Sequence, residues 1–120
     1  MESDRREKGR ALAKRYFGGE ITPDREDDPF FFPALEHLFG EIWTREGLSL
    51  RDRALATISS LLVLGREREF GIHLHGAMNV GVTQQEIEEL IVYLGYYGGF
   101  PTAASGREVF KKVVEMRNGA

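Results

Sequence analysis

The chain has no cysteine among its 120 residues. That single absence excludes structural disulfides, thiolate metal sites and thiol-based redox chemistry. Long apolar runs are also missing: stretches such as Leu61 to Leu64 fall far short of a membrane span, and the N-terminal ESDRREKGR is charged where a signal peptide would be apolar. A cytoplasmic protein with no membrane partner is expected. The formal net charge is only -3, with acids and bases interleaved, so there is no basic stripe of the kind that phosphate backbones select. Nucleic acid is therefore not an expected partner. No strand-like alternation, internal repeat or low-complexity tract is found, and the length suits one core rather than two.

What is present is helical periodicity with clear punctuation. Leu12, Tyr16 and Phe17 can share a stripe on a short first helix that Gly18 and Gly19 end. The run EITPDREDDP, Glu20 to Pro29, reads as a solvated acidic loop. Phe31, Leu35, Leu38, Phe39, Ile42 and Trp43 recur at helical spacing, with Pro33 tolerable in the first turn and Gly47 closing the element. Ser49 and Asp52 resemble a capping box with the shorter acid; they start a third helix, rich in small residues, that Gly65 stops. A fourth helix ends at Gly81. Thr83 with Glu86 caps a fifth, on which Ile87, Leu90, Ile91, Leu94 and Tyr97 form the expected buried stripe with Tyr93 at its edge. Gly98, Gly99 and Pro101 break it, and a last helix runs from about Thr102 to Met116. The expected fold is all-α, a single-domain bundle of about six helices. Residues 1–28 form an N-terminal helix and acidic loop, and residues 29–120 the main helical domain. Eight Phe, four Tyr and one Trp are many large apolar groups for so small a domain, so a homo-oligomer is expected.

The fourth helix carries the chemistry. With roughly 100° per residue, Phe70, Leu74, Ala77 and Val80 fall in one sector, and Arg66, Glu69 and His73 fall in it or on its edge. His75 points the other way. A carboxylate and an imidazole four residues apart beside an apolar arc must be paired or put to use.

The segment from Gly40 to Phe110 resembles the carboxymuconolactone decarboxylase family. The resemblance rests on EIWTREGL, on RDRAL at the start of the third helix, on the E-x-x-x-H of Glu69 and His73, and on GAMNVGVTQQEIEE followed by YYGGFP. It implies an alkylhydroperoxidase D-like helical fold assembled as a trimer or hexamer. The wider superfamily includes peroxidases with a CxxC pair and a His four residues after the second Cys. Here the thiol positions correspond to Arg66 and Glu69, so peroxide reduction by that route is chemically impossible. The decarboxylase branch carries a His where this chain has Tyr93, which changes one proton donor or carboxylate contact from imidazole to phenol.

The activity implied is loss of CO2 from a small carboxylated lactone or related acid. The electrons left behind delocalise onto the lactone carbonyl, so no cofactor or metal is required as an electron sink. Such a site must hold carboxylates, stabilise an oxyanion and deliver a proton to carbon. Arg53 and Arg45 suit the first task through their bidentate forks, although Arg53 could equally pair on the surface with Asp52 or Glu69. His73 is a proton donor or oxyanion partner, with Glu69 expected to raise its pKa and fix its tautomer. Arg66, Tyr93 and Tyr97 are further substrate-binding candidates, the tyrosines lying one turn apart, with packing the plainer role for Tyr97. Trp43 either floors a pocket or fills core. Two other readings stay open: a metal site if His37 or Glu36 joined Glu69 and His73, and a non-catalytic binding or scaffold oligomer of the same fold.

Overall fold

A computed structural model describes residues 4–19 and 27–119; most of the expected acidic loop lies outside them. Among the described residues six helices follow one another: α1 (Asp4–Phe17), α2 (Ala34–Ile42), α3 (Leu50–Leu64), α4 (Glu67–Asn79), α5 (Gln84–Gly98) and α6 (Phe100–Gly119). No strand occurs among the described residues, and no helix among them is long and apolar enough to cross a membrane.

The caps explain most of the boundaries. Ser49 Oγ accepts the Asp52 amide at 3.0 Å, but only that half of the expected box forms, because the shorter Asp52 carboxylate lies instead 3.6 Å from Arg51. Gly65 takes φ 73° and closes α3, its amide and that of Arg66 bonding back to Leu62 and Leu61. The box of Thr83 and Glu86 is complete. Gly99, at φ 99°, turns the chain so sharply that α6 begins at Phe100, two residues earlier than expected, with Pro101 in its first turn.

The second helix departs from the expected α geometry. It is wound as a π-helix, and its C-terminal bond runs from the Trp43 amide to the Leu38 carbonyl at 2.8 Å. The burial pattern accounts for this: Leu35, Phe39 and Trp43 are all buried, at steps of four. An α-helix would rotate that row by about 40° per step, whereas a wider turn keeps it on one face.

That face receives α1. Gly9 and Gly40 let the two backbones touch: a Cβ on Gly9 would lie 1.9 Å from the Leu35 carbonyl oxygen, and one on Gly40 2.1 Å from that of Arg5. Gly40→Ala is therefore expected to destabilise the protein by about 1–3 kcal/mol, seen as a lower Tm. Gly47→Ala, where nothing lies within 4 Å, serves as the control.

The third helix is central, packing on α4, α5 and α6, while α4 also meets α1. Tyr16, Ile58, Phe70, Leu74 and Ile87 are fully buried members of the core cluster to which it contributes. One stripe differs from expectation. On α5, Ile87 and Ile91 are buried, but Tyr97 is 73% exposed and Tyr93 57%. The buried row ends instead at Gly95, followed one turn on by half-buried Gly98, where a Cβ would sit 3.2 Å from Val63 Cα. The last turn of α5 approaches α3 closely at Gly98, and Tyr97 lies on the flank.

Candidate active site

Two positions on α4 face the first helix, His73 and Gly76, with Glu69 one turn before His73. Opposite them, Tyr16 closes the last turn of α1. Its ring occupies the space a side chain at position 76 would fill, since a Cβ there would lie 2.3 Å from two ring atoms. The Tyr16 hydroxyl is 2.8 Å from His73 Nδ1 and 3.4 Å from the His73 carbonyl oxygen. Edge contacts complete the surroundings, with Phe17 5.5 Å from the imidazole, and Trp43 4.9 Å from the Tyr16 ring. His73 is thus a half-buried imidazole set against aromatic walls.

Those walls decide its charge. Burial pushes the His73 pKa below its ordinary 6.5, and the nearby Glu69 carboxylate opposes this without prevailing. The imidazole is neutral at physiological pH. Glu69 acts in the expected upward direction but burial outweighs it, and the ring's hydrogen-bond partner is Tyr16 in place of the expected Glu69, whose carboxylate takes a hydrogen bond from Arg68 at 2.8 Å and is 45% exposed. Water screens what the carboxylate can do.

A pH prediction follows from the sign. The folded pKa lies below the unfolded one, so this group's contribution is complete above 6.5 and is lost as pH falls through the folded value. Glu69→Gln removes the opposing influence. The His73 titration followed by NMR is expected to move further down in that variant; an upward or absent shift would refute the coupling.

The other sequence candidates are distributed unevenly. Arg53, at the start of α3, donates from Nη2 to the Arg45 carbonyl at 3.0 Å, while its buried Nε has no partner in the chain. It pairs with neither Asp52 nor Glu69. Arg45 contributes that carbonyl and leaves its side chain exposed. Arg66 is exposed before α4, at the rim of a cavity of about 260 Å³ bordered by Phe70, Thr102 and Ser105. Trp43 is buried between Tyr16 and Phe39, where it fills core. Tyr93 and Tyr97 form an edge-to-face pair 5.4 Å apart on α5, a helix that packs on α3 and α6, so the protomer does not bring them to His73. His75 faces Arg117 on α6 at 3.3 Å. His37 lies 3.0 Å from Glu41, and Arg6 donates to Glu36; no metal-holding group of three His, Asp or Glu residues occurs among the described residues.

Tyr16 and Phe17 escaped the sequence reading as site residues. The available signal was Gly76, three residues beyond His73 on the same helix: a gap in an otherwise side-chain-bearing face asks what fills it.

An all-α, cysteine-free bundle with a neutral, aromatic-walled histidine on its fourth helix defines the class structurally. Comparison with known proteins gives the class its name. The carboxymuconolactone decarboxylase family pattern matches residues 30–112, and the chain belongs to that family. It is 44% identical over 77 residues to a 4-carboxymuconolactone decarboxylase of Acinetobacter baylyi, a match covering 61% of this chain and 58% of the relative. It is 31% identical over 116 residues to a nitrosuccinic acid decarboxylase of Metarhizium robertsii, covering 90% of this chain and 80% of that one. An uncharacterized 15.0 kDa protein of Paracoccus denitrificans is 33% identical over 81 residues, covering 66% and 60% respectively. The chain thus spans little more than half the length of the first of these relatives.

Proposed function

We propose that this protein decarboxylates a small carboxylic acid whose departing carboxylate is conjugated to an electron-withdrawing group, a carboxylated lactone being the leading case. The names of the two decarboxylase relatives join a carboxylic acid to a lactone in one and to a nitro group in the other. Either group accepts the electron pair released when the carbon–carboxylate bond breaks. The pair moves onto oxygen as CO2 leaves, then returns to form a C–H bond with a proton drawn from solvent. No organic cofactor or metal is needed in this scheme, because the substrate is its own electron sink.

The observation that carries the proposal is the neutral, half-buried His73. An imidazole N–H in a site of low polarity stabilises a developing oxyanion far better than one in water, and its depressed pKa supports that hydrogen-bonding role over carbon protonation. Glu69 beside it tunes the imidazole electrostatically. Arg53 is the preferred carboxylate ligand, since its buried Nε–H has an unused donor; Arg45, Arg66, Trp43, Tyr93 and Tyr97 are the further binding candidates. Tyr93, Tyr96, Tyr97 and Phe100 are all more than half exposed along one end of α5 and the start of α6, which supports a homo-oligomer. A trimer or hexamer and a cytoplasmic location complete the proposal.

The test is CO2 release from a panel of carboxylated lactones and nitro acids. The second reading, a binding module without turnover, is favoured by the phenol at Tyr93; tight binding with no CO2 from any member of the panel would establish it instead.

A further inference from the structure

We propose that Tyr16 is a positioning residue for this site: its hydroxyl donates to His73 Nδ1 and so holds the imidazole in the tautomer that carries hydrogen on Nε2. The inference rests on His73 being the working group of the proposed reaction. It does not follow from the family pattern, because Tyr16 lies outside the matched residues 30–112.

The heavy-atom positions leave the direction of this hydrogen bond to the tautomer, and the distances favour donation by the phenol. The hydroxyl has two acceptors in reach, and the ring nitrogen at 2.8 Å is much the better placed than the carbonyl oxygen at 3.4 Å. Tyr16 is 0% exposed, so water does not compete for its proton. Burial also drives its pKa upward, well clear of physiological pH, and the phenol keeps that proton. A protonated phenol that donates to Nδ1 needs a lone pair there. The neutral ring then has its hydrogen on Nε2.

The phenol is not free to turn away. Its ring fills the hollow over Gly76 and is wedged between Phe17, 4.7 Å away, and Trp43. Its backbone is tied as well: Asn79 Nδ2 donates to the Tyr16 carbonyl at 2.7 Å, and Arg117 Nη2 donates to Asn79 Oδ1 at 3.1 Å, which fixes which end of the amide faces α1. The first helix thereby delivers one hydroxyl hydrogen to one nitrogen, and the opposite nitrogen presents an N–H to substrate.

Nitrogen-15 NMR of the wild-type protein at neutral pH tests the assignment without relying on activity. His73 Nδ1 is expected to resonate as an unprotonated, hydrogen-bond-accepting nitrogen and Nε2 as a protonated one; a proton on Nδ1 overturns the proposal even if the protein proves an active decarboxylase. Tyr16→Phe keeps the ring and removes the hydroxyl. It should shift the Nδ1 resonance and lower kcat about 10-fold, the worth of one hydrogen bond, while KM changes less than about twofold. Unchanged nitrogen shifts and kcat in a folded Tyr16→Phe protein would also overturn it. Full activity in a His73→Ala variant would instead remove the reading of His73, whatever the tautomer.

Discussion

His73→Ala is expected to lower kcat by about 10²–10³, the range seen when one oxyanion donor is deleted, with KM changing much less. The split matters: an N–H that strengthens its bond only as negative charge develops on substrate oxygen contributes to the transition state and little to binding. The substitution also strips the Tyr16 hydroxyl of its nearer acceptor, and an unsatisfied buried donor costs about 1–3 kcal/mol. Thermal unfolding must therefore be measured beside turnover. A variant that melts lower yet retains wild-type kcat would show His73 to be a packing residue; a well-folded variant with kcat reduced by that range would place it at the reacting atoms.

The second large effect belongs to the core. Phe70→Ala is expected to destabilise the domain by about 3–5 kcal/mol, a large share of the 5–15 kcal/mol that holds a typical domain folded. Phe70 is 1% exposed in the cluster that α3, α4 and α6 share, and its ring also borders the cavity next to Arg66. A site already beside a cavity cannot easily collapse around a missing ring, so the upper part of the range is expected. Denaturant unfolding with an unchanged m-value would give the loss directly; a loss below about 1 kcal/mol would mean that the neighbouring helices relax into the void.

Local signals carried most of the architecture. Ser49, Gly65, Gly81, Thr83 with Glu86, and the Gly98 to Pro101 break all act within a turn or two of themselves, and α3, α4 and α5 begin and end close to where those residues place them. The π winding of α2 was not legible, because it depends on which row of side chains the first helix covers. Tyr97 was misplaced for a related reason: periodicity names the stripe, but Gly95 and Gly98, the latter close against Val63, continue it in place of Tyr97.

The candidate site was legible only in part. Glu69 and His73 stood out because an acid and an imidazole sat beside an apolar arc. The hydrogen bond that orients His73 joins residues 57 positions apart, and no local pattern announces such a pair. The pKa direction was reversed for the same cause: neighbours in sequence suggested Glu69 as the dominant influence, whereas the aromatic walls that outweigh it come from α1 and α2. Arg53 was legible as a cation but not as a donor with one N–H left over.

The backbone contact of Gly9 with Leu35 and of Gly40 with Arg5 sets the limits of any shortened version of this protein. A chain trimmed to residues 30–112, the stretch that the family pattern matches, would keep His73, Glu69 and Arg53, yet it would bare the Trp43 ring and one nitrogen of the imidazole to water. The family pattern and autonomous folding draw their borders at different residues here, and an engineer who respects only the first would discard the helix that tells the histidine which way to face.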